Sequence, residues 1–285
     1  MYQFPIGVIV DSFRLPLEEA IAAAAKLGVQ GMQMYATYGA TSPEEMDAAK
    51  RRELRKLVQE GYGLKFSALC GDLGRGFTDP ELNPSLVEKS KRIVDLALDL
   101  GTNIVTTHIG VVPEDPNHPR FEIMAKACRE LAEYADSVGA HFAVETGPEP
   151  AVVLRRFLDS LNSKGVSVNF DPANLAMCIG EDPAESVYVL KDYIVHTHAK
   201  DGVMIRRDDP NHIYASVPLP DDIGEDEAYR ELPLGTGAVN FPKYLKALDD
   251  VGYKGFLTIE REVGNNPAAD IALAVDFLHK TIKEG

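Results

Sequence analysis

The sequence predicts an α/β fold in which eight parallel strands close into a (β/α)₈ TIM barrel with helices on the outside. Two observations predict it: eight short apolar segments alternate with eight amphipathic stretches, and a length of 285 residues suits a barrel of eight such units. The composition does not change along the chain, so we expect residues 1–285 to form a single domain. A doubly wound open sheet is the structural alternative.

The strand candidates are short apolar runs that end in polar residues, and each is followed by a helical pattern. Several of the helices are expected to begin with proline or an acidic residue in the first turn. The strands are IGVIVDS from Ile6, GMQMYA from Gly31, KFSALCG from Lys65, NIVTTHIG from Asn103, HFAVETG from His141, VSVNFDP from Val166, IVHTHAKD from Ile194 and GFLTIERE from Gly255. The helices are predicted to begin near Leu17, Pro43, Pro84, Arg120, Ala151, Pro183, Phe241 and Pro267.

Four of these predicted helices end in a glycine just before the next strand. The segments are KLGVQG, DLGTNI, SVGAHF and DVGYKG, in which Gly28, Gly101, Gly139 and Gly252 follow the last helical residue. Glycine is the usual residue there because it adopts the left-handed conformation that closes a helix. We therefore expect short turns between these helices and strands.

The spacing of the units is regular except at residues 202–239, between the seventh strand and the seventh helix. We expect this long insertion to form a loop at the mouth of the barrel, serving as a lid or rim. A solvated segment without function is the alternative. The insertion is too polar for a core, because it carries these acidic residues among its prolines: Asp208, Asp209, Asp221, Asp222, Glu225, Asp226 and Glu227.

The composition disfavours several classes of function. A formal net charge of −15 repels nucleic-acid phosphates and anionic membranes. No apolar run approaches the roughly 20 residues that span a bilayer, and the N-terminus lacks the pattern of a signal peptide, so we expect a cytoplasmic protein. The three cysteines, Cys70, Cys128 and Cys178, lie far apart, so we expect reduced packing residues rather than disulfides or a zinc site.

Polar residues end the last four strands at the same end of the predicted barrel. Side chains alternate between the two faces of a strand, so in the sixth strand Val168 and Phe170 face the helices while Asn169 and Asp171 face the lumen. The same alternation places one ionisable residue of each strand at the mouth, where barrel active sites lie. These four residues are Glu145, Asp171, His198 and Glu260.

Three carboxylates this close together would repel one another unless a cation neutralised them. An oxygen-rich set with one imidazole suits Mn²⁺ best, with Mg²⁺, Co²⁺ or Zn²⁺ as alternatives, and leaves positions open for substrate oxygens. We therefore predict one divalent metal ion at the mouth. Taken singly, each of these residues is more often a capping or salt-bridge residue.

Other polar residues are weaker candidates for substrate binding. His108 ends the fourth strand and is expected to contact a substrate oxygen, or simply the backbone. Lys200 and Asp201 would orient His198 or form a surface ion pair. Arg206 or the neighbouring Arg207 would bind substrate, or else balance the charge of the insertion.

Two glycines and one glutamate near the mouth have simpler interpretations. Gly235 and Gly237 in LGTG would let the backbone approach a phosphate, a common feature after strands seven and eight of a barrel. The acidic rim opposes a highly charged substrate, so we expect an unphosphorylated sugar or polyol. Glu149 is interpreted as a first-turn helix residue.

Five segments in this order carry a resemblance: FAVETG around Glu145, NFDPANL around Asp171, VHTHAKDG around His198, LPLGTGAVNF at residues 232–241 and GFLTIERE around Glu260. Over essentially its whole length the chain resembles the xylose-isomerase-like TIM-barrel superfamily. That superfamily includes sugar-phosphate isomerases and epimerases, ketose 3-epimerases, inosose dehydratases and isomerases, and type IV endonucleases. The resemblance implies that the four strand-end residues are the metal ligands. It favours His198 over His196, because the liganding histidine of the family precedes a Lys-Asp pair by one residue.

The resemblance implies a metal-dependent isomerase or epimerase of a small sugar, working through an enediolate with Glu145 and Glu260 as the acid/base pair. The chain departs from ketose 3-epimerases at Ala151, Asn174 and Met204, where they carry Glu, His and Arg. Asn174 is the expected substrate contact in place of that histidine. Type IV endonucleases are disfavoured by Asn174 and the net charge.

Two alternatives to an isomerase stay open. The first is a lyase or dehydratase acting on a keto-inositol or a 3-keto-glycoside, because the same metal and base can expel a leaving group after enolisation. The second is a non-catalytic sugar-binding barrel, suggested by the residues at positions 151 and 174. The expected partner is a small sugar or polyol, with a homodimer or higher homo-oligomer as the assembly.

Overall fold

The eight predicted strands form a closed parallel barrel in the computed structural model, which describes residues 1–214 and 227–285. Neighbouring strands follow the chain around the barrel, and the last barrel strand pairs with the first through Ile6↔Leu257 and Val8↔Ile259. The predicted barrel is therefore confirmed, and the open sheet is wrong. The barrel strands are β1 (Ile6–Ile9), β2 (Gly31–Tyr35), β3 (Lys65–Cys70), β4 (Ile104–Thr107), β5 (His141–Glu145), β6 (Val166–Phe170), β7 (Ile194–Ala199) and β10 (Leu257–Ile259).

Within residues 1–214 and 227–285, eight helices pack around the barrel, and seven of them begin within one residue of the predicted start. Their first turns contain proline in several cases, where the missing N–H needs no partner. Their apolar faces cover the outward side chains of the strands; Phe170 of β6, for example, stacks on Tyr244 with ring centroids 5.6 Å apart. The helices are α1 (Leu17–Lys26), α2 (Ala48–Lys56), α3 (Asn83–Leu100), α4 (Pro119–Val138), α5 (Ala151–Leu161), α6 (Pro183–Leu190), α7 (Phe241–Asp250) and α8 (Pro267–Glu284).

The second helix begins at Ala48, five residues later than the predicted start at Pro43. The Asp47 carboxylate accepts hydrogen bonds from the backbone N–H of Ala49 and Lys50, and so caps the helix at that point. Residues 42–46 form a separate turn before it, in which the N–H of Met46 donates to Ser42 O. The N-cap therefore outweighs the proline in setting the start.

The predicted glycine turns have the expected backbone conformation. Gly28, Gly101, Gly139 and Gly252 all have positive φ, between 70° and 95°. Gly101 and Gly139 directly follow α3 and α4, and one residue separates Gly28 from α1 and Gly252 from α7. These turns bring each helix back to the next strand within a few residues.

The insertion at residues 202–239 contains a β-hairpin, where the sequence predicted only a loop. Strands β8 (Asp201–Met204) and β9 (Tyr229–Leu232) pair antiparallel outside the barrel, and a short helix covers Pro210–Ile213. Only Lys200 separates β8 from β7, so no turn signal in the sequence marks the beginning of a second strand there. Asp221, Asp222, Glu225 and Asp226 lie outside the described residues, and the function of the insertion as a lid or rim stays a prediction.

Two further properties bear on the expectations from composition. Across residues 1–214 and 227–285, no helix has the length and apolar character needed to cross a membrane. Cys70, Cys128 and Cys178 are all buried, with free thiols, as expected for packing residues.

Candidate active site

The structure brings the four strand-end residues together at the mouth of the barrel. Each of Glu145, Asp171, His198 and Glu260 offers one ligand-type atom, and these four atoms lie within 4.8 Å of one another. All four side chains are at least nine-tenths buried. His196, the alternative histidine, lies deeper and bonds Asn169 and Thr258 instead. The geometry therefore agrees with the cluster that strand alternation predicts.

Asp171 is positioned so that one carboxylate oxygen is engaged and the other is not. Its backbone N–H donates to Thr146 Oγ1 (2.8 Å), and that hydroxyl donates back to Asp171 O (2.9 Å), which joins the ends of β5 and β6. Oδ1 accepts from the N–H of Asn174 (2.9 Å) and caps the turn that follows β6. Oδ2 lies 3.5 Å from His198 Nδ1 and has no hydrogen-bond partner in the part of the chain that the structure describes.

Two amides hold the Glu145 carboxylate in a single orientation. Asn174 Nδ2 donates to Oε1 at 2.9 Å, and Asn169 Nδ2 donates to Oε2 at 3.0 Å. Asn174 was expected to contact substrate; it does line the cavity, but its side chain is engaged by Glu145. Asn169 Oδ1 in turn lies 2.8 Å from His196 Nδ1. A buried polar chain thus fixes Glu145 from behind.

His198 is oriented by a glutamine from the opposite side of the barrel. Its Nε2 lies 3.3 Å from Gln33 Oε1, and Gln33 Nε2 donates to Thr106 Oγ1 at 3.0 Å. Its Nδ1 faces the carboxylates, at 3.1 Å from Glu260 Oε2 and 3.5 Å from Glu145 Oε2. A ligand histidine usually gives its second nitrogen to such a partner, which fixes the ring and its tautomer.

Glu260 is paired with the buried Lys200 rather than with an amide. Lys200 Nζ lies 3.2 Å from Glu260 Oε2 and 2.6 Å from Glu262 Oε2. The lysine therefore does not form the surface ion pair with Asp201 that was one of its two interpretations. It contacts a member of the cluster and lines the cavity.

The charges of the cluster draw a proton onto His198. Burial lowers the pKa of His198, but the charges of Glu260 and Glu145 outweigh burial and hold this pKa well above its usual value. Burial raises the pKa of Glu260, yet the Lys200 and His198 charges hold it below its usual value; for Glu145, the His198 and His108 charges do the same. The cluster therefore favours a positive charge at its centre, which a metal ion supplies when the imidazole is neutral.

A cavity of about 770 Å³ opens above the cluster. Its walls include residues from the ends of six barrel strands and from the hairpin, among them Tyr35, Thr107 and Tyr214. This volume is in the usual range for a small-molecule site. The mouth of the barrel therefore has room for a small polar substrate beside the four residues.

His108 projects into this cavity with a fixed ring orientation. Its Nδ1 lies 3.0 Å from Asp72 Oδ2, and its Nε2 lies 3.7 Å from Glu145 Oε1 without a hydrogen bond. Burial lowers the pKa of His108, but the Glu145 and Asp72 charges outweigh burial and raise it to about 9. Asp72 thus fixes the ring of His108, whose Nε2 has no hydrogen-bond partner among the described residues, and the substrate contact of His108 stays a prediction.

The insertion residues are placed differently from the expectations. Arg206 is not among the residues that line the cavity; its Nη1 donates to Asp208 Oδ2 at 2.9 Å. The N–H groups of Gly235 and Gly237 donate to Asp201 Oδ2 at 3.0 and 2.9 Å, so a protein carboxylate takes the place suggested for a phosphate. With both N–H groups engaged by Asp201, the geometry does not support a phosphate contact at these glycines, which the acidic rim also disfavours.

Sequence reasoning missed several residues of the site: Gln33, Tyr35, Asp72 and Tyr214. Gln33 carried a usable signal, because it is the one polar side chain between Met32 and Met34 in an apolar strand. The other three lie at strand ends or in loops, where polar and aromatic residues are ordinary. Their position beside the cluster depends on how the loops fold over the mouth.

Residues 21–281 match the family described as xylose isomerase-like TIM barrel, and the chain belongs to this family. The chain is 27% identical over 206 residues to an uncharacterized protein of Methanocaldococcus jannaschii, covering 67% of this chain and 61% of that protein. It is 26% identical over 146 residues to an inosose dehydratase of Lacticaseibacillus casei, covering 50% of this chain and 47% of the enzyme. The matches thus span less than two thirds of the length of either relative.

Solved structures agree with the family assignment. A xylose isomerase domain protein from Planctomyces limnophilus superposes with a TM-score of 0.79 at 26% identity, over 99% of this chain and 98% of that chain. A D-tagatose 3-epimerase-like protein superposes with a TM-score of 0.73 at 18% identity, over 98% of this chain and 99% of that chain. The second similarity shows a shared fold. The neighbours of the chain thus include an inosose dehydratase and an epimerase-like protein.

Proposed function

We propose that this protein is a divalent-metal-dependent isomerase or epimerase of a small sugar or sugar derivative, working through an enediolate. The observation that carries the proposal is the buried cluster of Glu145, Asp171, His198 and Glu260 at the mouth of a xylose isomerase-like barrel. Three carboxylates and one imidazole suit Mn²⁺ best, with Mg²⁺, Co²⁺ and Zn²⁺ as alternatives. We further propose that this enzyme is soluble and cytoplasmic and acts as a homo-oligomer.

The donor set fits a metal ion. Asp171 Oδ2 is buried and has no hydrogen-bond partner within the described ranges, while Glu260 Oε2 has only its ion-pair contacts with Lys200 and His198. A buried carboxylate oxygen without a hydrogen bond is costly, and a cation at the cluster would remove that cost at Asp171. A bound divalent ion would polarise a substrate carbonyl, which would acidify the hydrogen on the adjacent hydroxyl-bearing carbon.

The two glutamates are suited to move the proton. Glu145 ends β5 and Glu260 follows β10, and β6 and β7 lie between these strands, so the carboxylates approach the cavity from two sides. One carboxylate removes the carbon-bound proton and the other returns it. Lys200 keeps Glu260 ionised, while the two amides hold Glu145 in place. His108 Nε2 is available to donate to a substrate oxygen.

Hydrogen exchange tests this function directly. In deuterated water with Mn²⁺, we expect the wild type to introduce deuterium into at least one member of a panel of ketoses, as measured by NMR. Glu145→Gln and Glu260→Gln should each reduce the exchange by about 10²–10⁴-fold, because an amide cannot accept the proton. Metal analysis of each variant shows whether the ion is retained.

Glu262→Gln is a matched control, because Glu262 lines the same cavity and pairs with Lys200 but is not in the cluster. We expect it to lose less than about tenfold, since the interaction it removes is partly exposed. Wild-type exchange by both cluster variants would exclude the acid/base roles. Metal-dependent sugar binding without exchange of any ketose would favour the non-catalytic barrel.

A second candidate is a metal-dependent lyase or dehydratase on a keto-inositol or a 3-keto-glycoside. The sequence relationship to an inosose dehydratase favours it, together with His108, which lines the cavity and whose unpartnered Nε2 would protonate a departing hydroxyl. Mass spectrometry separates the two functions. A product of unchanged mass identifies an isomerase or epimerase, and a product lighter by one water or lacking its aglycone identifies an elimination.

A further inference from the structure

A second cavity of about 740 Å³ adjoins the one above the cluster, and Tyr35 and Asp72 line both. Its other lining residues come from the loops that follow β2 and β3 and from the beginning of α3. A ligand bound at the cluster would therefore have this second space beside it. None of the residues predicted for the site from the sequence lines this second cavity.

The second cavity carries two positive charges that have no ion-pair partner among the described residues. Arg75 and Lys89 both line it, both are exposed, and neither makes a hydrogen bond or ion pair with any residue in 1–214 or 227–285. Asp72 is the only carboxylate among the described lining residues, and both of its oxygens are engaged. Oδ1 accepts from the N–H of Gly74 at 2.8 Å, and Oδ2 lies 3.0 Å from His108 Nδ1.

The neutral polar groups of the same wall are hydrogen-bond donors. Thr37, Tyr38 and Ser85 line the cavity, and their hydroxyls make no hydrogen bond to any other described residue. Tyr38 is 61% exposed. Two cations and three hydroxyls without partners, beside one acceptor that is already engaged, suit a ligand rich in acceptor oxygens.

The two cavities differ in the charged residues that line them. Glu145, Glu227, Glu231, Glu260 and Glu262 line the first cavity, and its cations Lys200, Arg230 and Arg261 are each paired with one or two of these carboxylates. An anionic group on the substrate would therefore be attracted to Arg75 and Lys89, which have no carboxylate partner among the described residues. A substrate with one neutral, hydroxyl-rich end and one anionic end would match both.

We propose that the second cavity binds an anionic group, a phosphate or a carboxylate, carried by the substrate at the end remote from the reacting carbon. Anion binding follows from the second cavity alone, whereas the identity of the remainder of the substrate rests on the proposed function. From the sequence, Gly235 and Gly237 were a possible phosphate contact, but their N–H groups donate to Asp201 Oδ2. The structure instead places the positive charge on the opposite side of the mouth, at Arg75 and Lys89.

Anion titration tests the inference without knowledge of the substrate. Inorganic phosphate and acetate are titrated separately into the full-length, Mn²⁺-loaded protein by calorimetry, at constant ionic strength set with chloride. We expect saturable binding of at least one anion. Arg75→Gln/Lys89→Gln should weaken that binding by about tenfold or more. The matched control, Arg52→Gln/Lys126→Gln, removes two unpaired exposed cations from α2 and α4 and should leave it unchanged.

The outcomes separate the two sources of the charge and the two proposals. Preference for phosphate assigns a phosphate, and preference for acetate assigns a carboxylate. Absence of saturable binding of both anions, or equal weakening by both double variants, overturns the inference. If anion binding depends on Arg75 and Lys89 while no ketose, ketose phosphate or uronate exchanges hydrogen, the inference stands and the proposed function fails. If a ketose exchanges hydrogen but no such anion binding is found, the proposed function stands and the inference fails.

Discussion

Single atoms decide what each residue of the candidate site can do. In Asp171, Oδ1 caps a helical turn, and Oδ2 is left facing His198. In His198, Gln33 takes Nε2, and Nδ1 is left facing the carboxylates. Each partner thus engages one atom of a bifunctional side chain and leaves the other directed at the centre of the cluster. This is the arrangement that supporting interactions around a metal site provide.

Glu149 shows the opposite case, a buried carboxyl outside the cluster. Its Oε2 accepts from the N–H of Val112 at 2.9 Å, and its Oε1 has no partner among the described residues. Burial raises the pKa of Glu149 from 4.5 to about 8. The folded protein therefore keeps a proton here that the unfolded chain loses above about pH 4.5. Stability from this group is complete below that pH and is lost as the pH rises through about 8.

Glu149→Gln should remove this pH dependence, because the amide is neutral and can still accept from Val112. We expect the variant to match the wild type near pH 5 and to exceed it at pH 9, by on the order of 1–3 kcal/mol in the free energy of unfolding. Urea unfolding at both pH values measures the difference. Glu133→Gln, an exposed change on α4, is the control. A stability difference that does not grow with pH would contradict this interpretation of Glu149.

At the scale of elements, the junction between β7 and β8 shapes one side of the mouth. The chain leaves the barrel at Lys200 and enters the hairpin at Asp201, which accepts from the N–H groups of Gly202, Gly235, Gly237 and Val239 at 2.9–3.1 Å. Arg261 links β9 to α8 through two ion pairs. Its Nη1 lies 2.6 Å from Glu231 Oε1 in β9, and its Nε lies 2.8 Å from Asp270 Oδ2 in α8. These interactions dock the hairpin against the barrel and α8.

Gly237→Ala should disrupt the Asp201 interactions. A Cβ at this position would lie 2.2 Å from Asp201 Oδ1 and 2.5 Å from Gly202 N, and neither atom can withdraw without losing hydrogen bonds. We expect a loss of about 2–4 kcal/mol in the free energy of unfolding, measured in urea. Gly61→Ala, whose Cβ would meet only Leu57 Cδ1 at 3.5 Å, should change it by less than about 1 kcal/mol. Equal stability of both variants would show that the loop adapts freely.

At the scale of the whole molecule, the cluster links metal binding to the stability of the barrel. Its residues come from four neighbouring strands, β5, β6, β7 and β10, so an ion held by all four would join half of the barrel at its mouth. Three buried carboxylates repel one another without it. An ion that binds the folded protein, and not the unfolded chain, stabilises the fold by mass action.

Chelation should therefore lower the melting temperature. With free Mn²⁺ at about 100 times its dissociation constant, the expected stabilisation is about 2.7 kcal/mol, or about 5–10 °C for a chain of this size. Differential scanning calorimetry with EDTA and with Mn²⁺ measures the shift. His198→Ala is the control, because it removes the one imidazole of the cluster and should abolish most of the shift. An equal shift in this variant would place the ion elsewhere.

Local regularities were sufficient to predict the barrel and the composition of the cluster. Helical and strand periodicities appear within a few residues, and alternation along β5, β6 and β7 is enough to direct Glu145, Asp171 and His198 inward. Parallel strands end at the same mouth, so these residues had to meet. The predicted start of α2 was wrong because Pro43 belongs to a separate turn, and the helix begins only where the Asp47 carboxylate caps it.

Tertiary structure decided which atoms around the cluster are engaged. Gln33 and His198 are 165 positions apart and meet only across the closed barrel. The strand pairing also shifts register beside Gln33, where β2 pairs with β3, and beside Asn169, where β6 pairs with β7, and no local sequence pattern predicts these shifts. The hairpin, the Asp72 and His108 pair and the second cavity likewise depend on loops that meet after folding. The sequence by itself thus determined which residues reach the mouth, because alternation is local, and the three-dimensional contacts determined how they are held there.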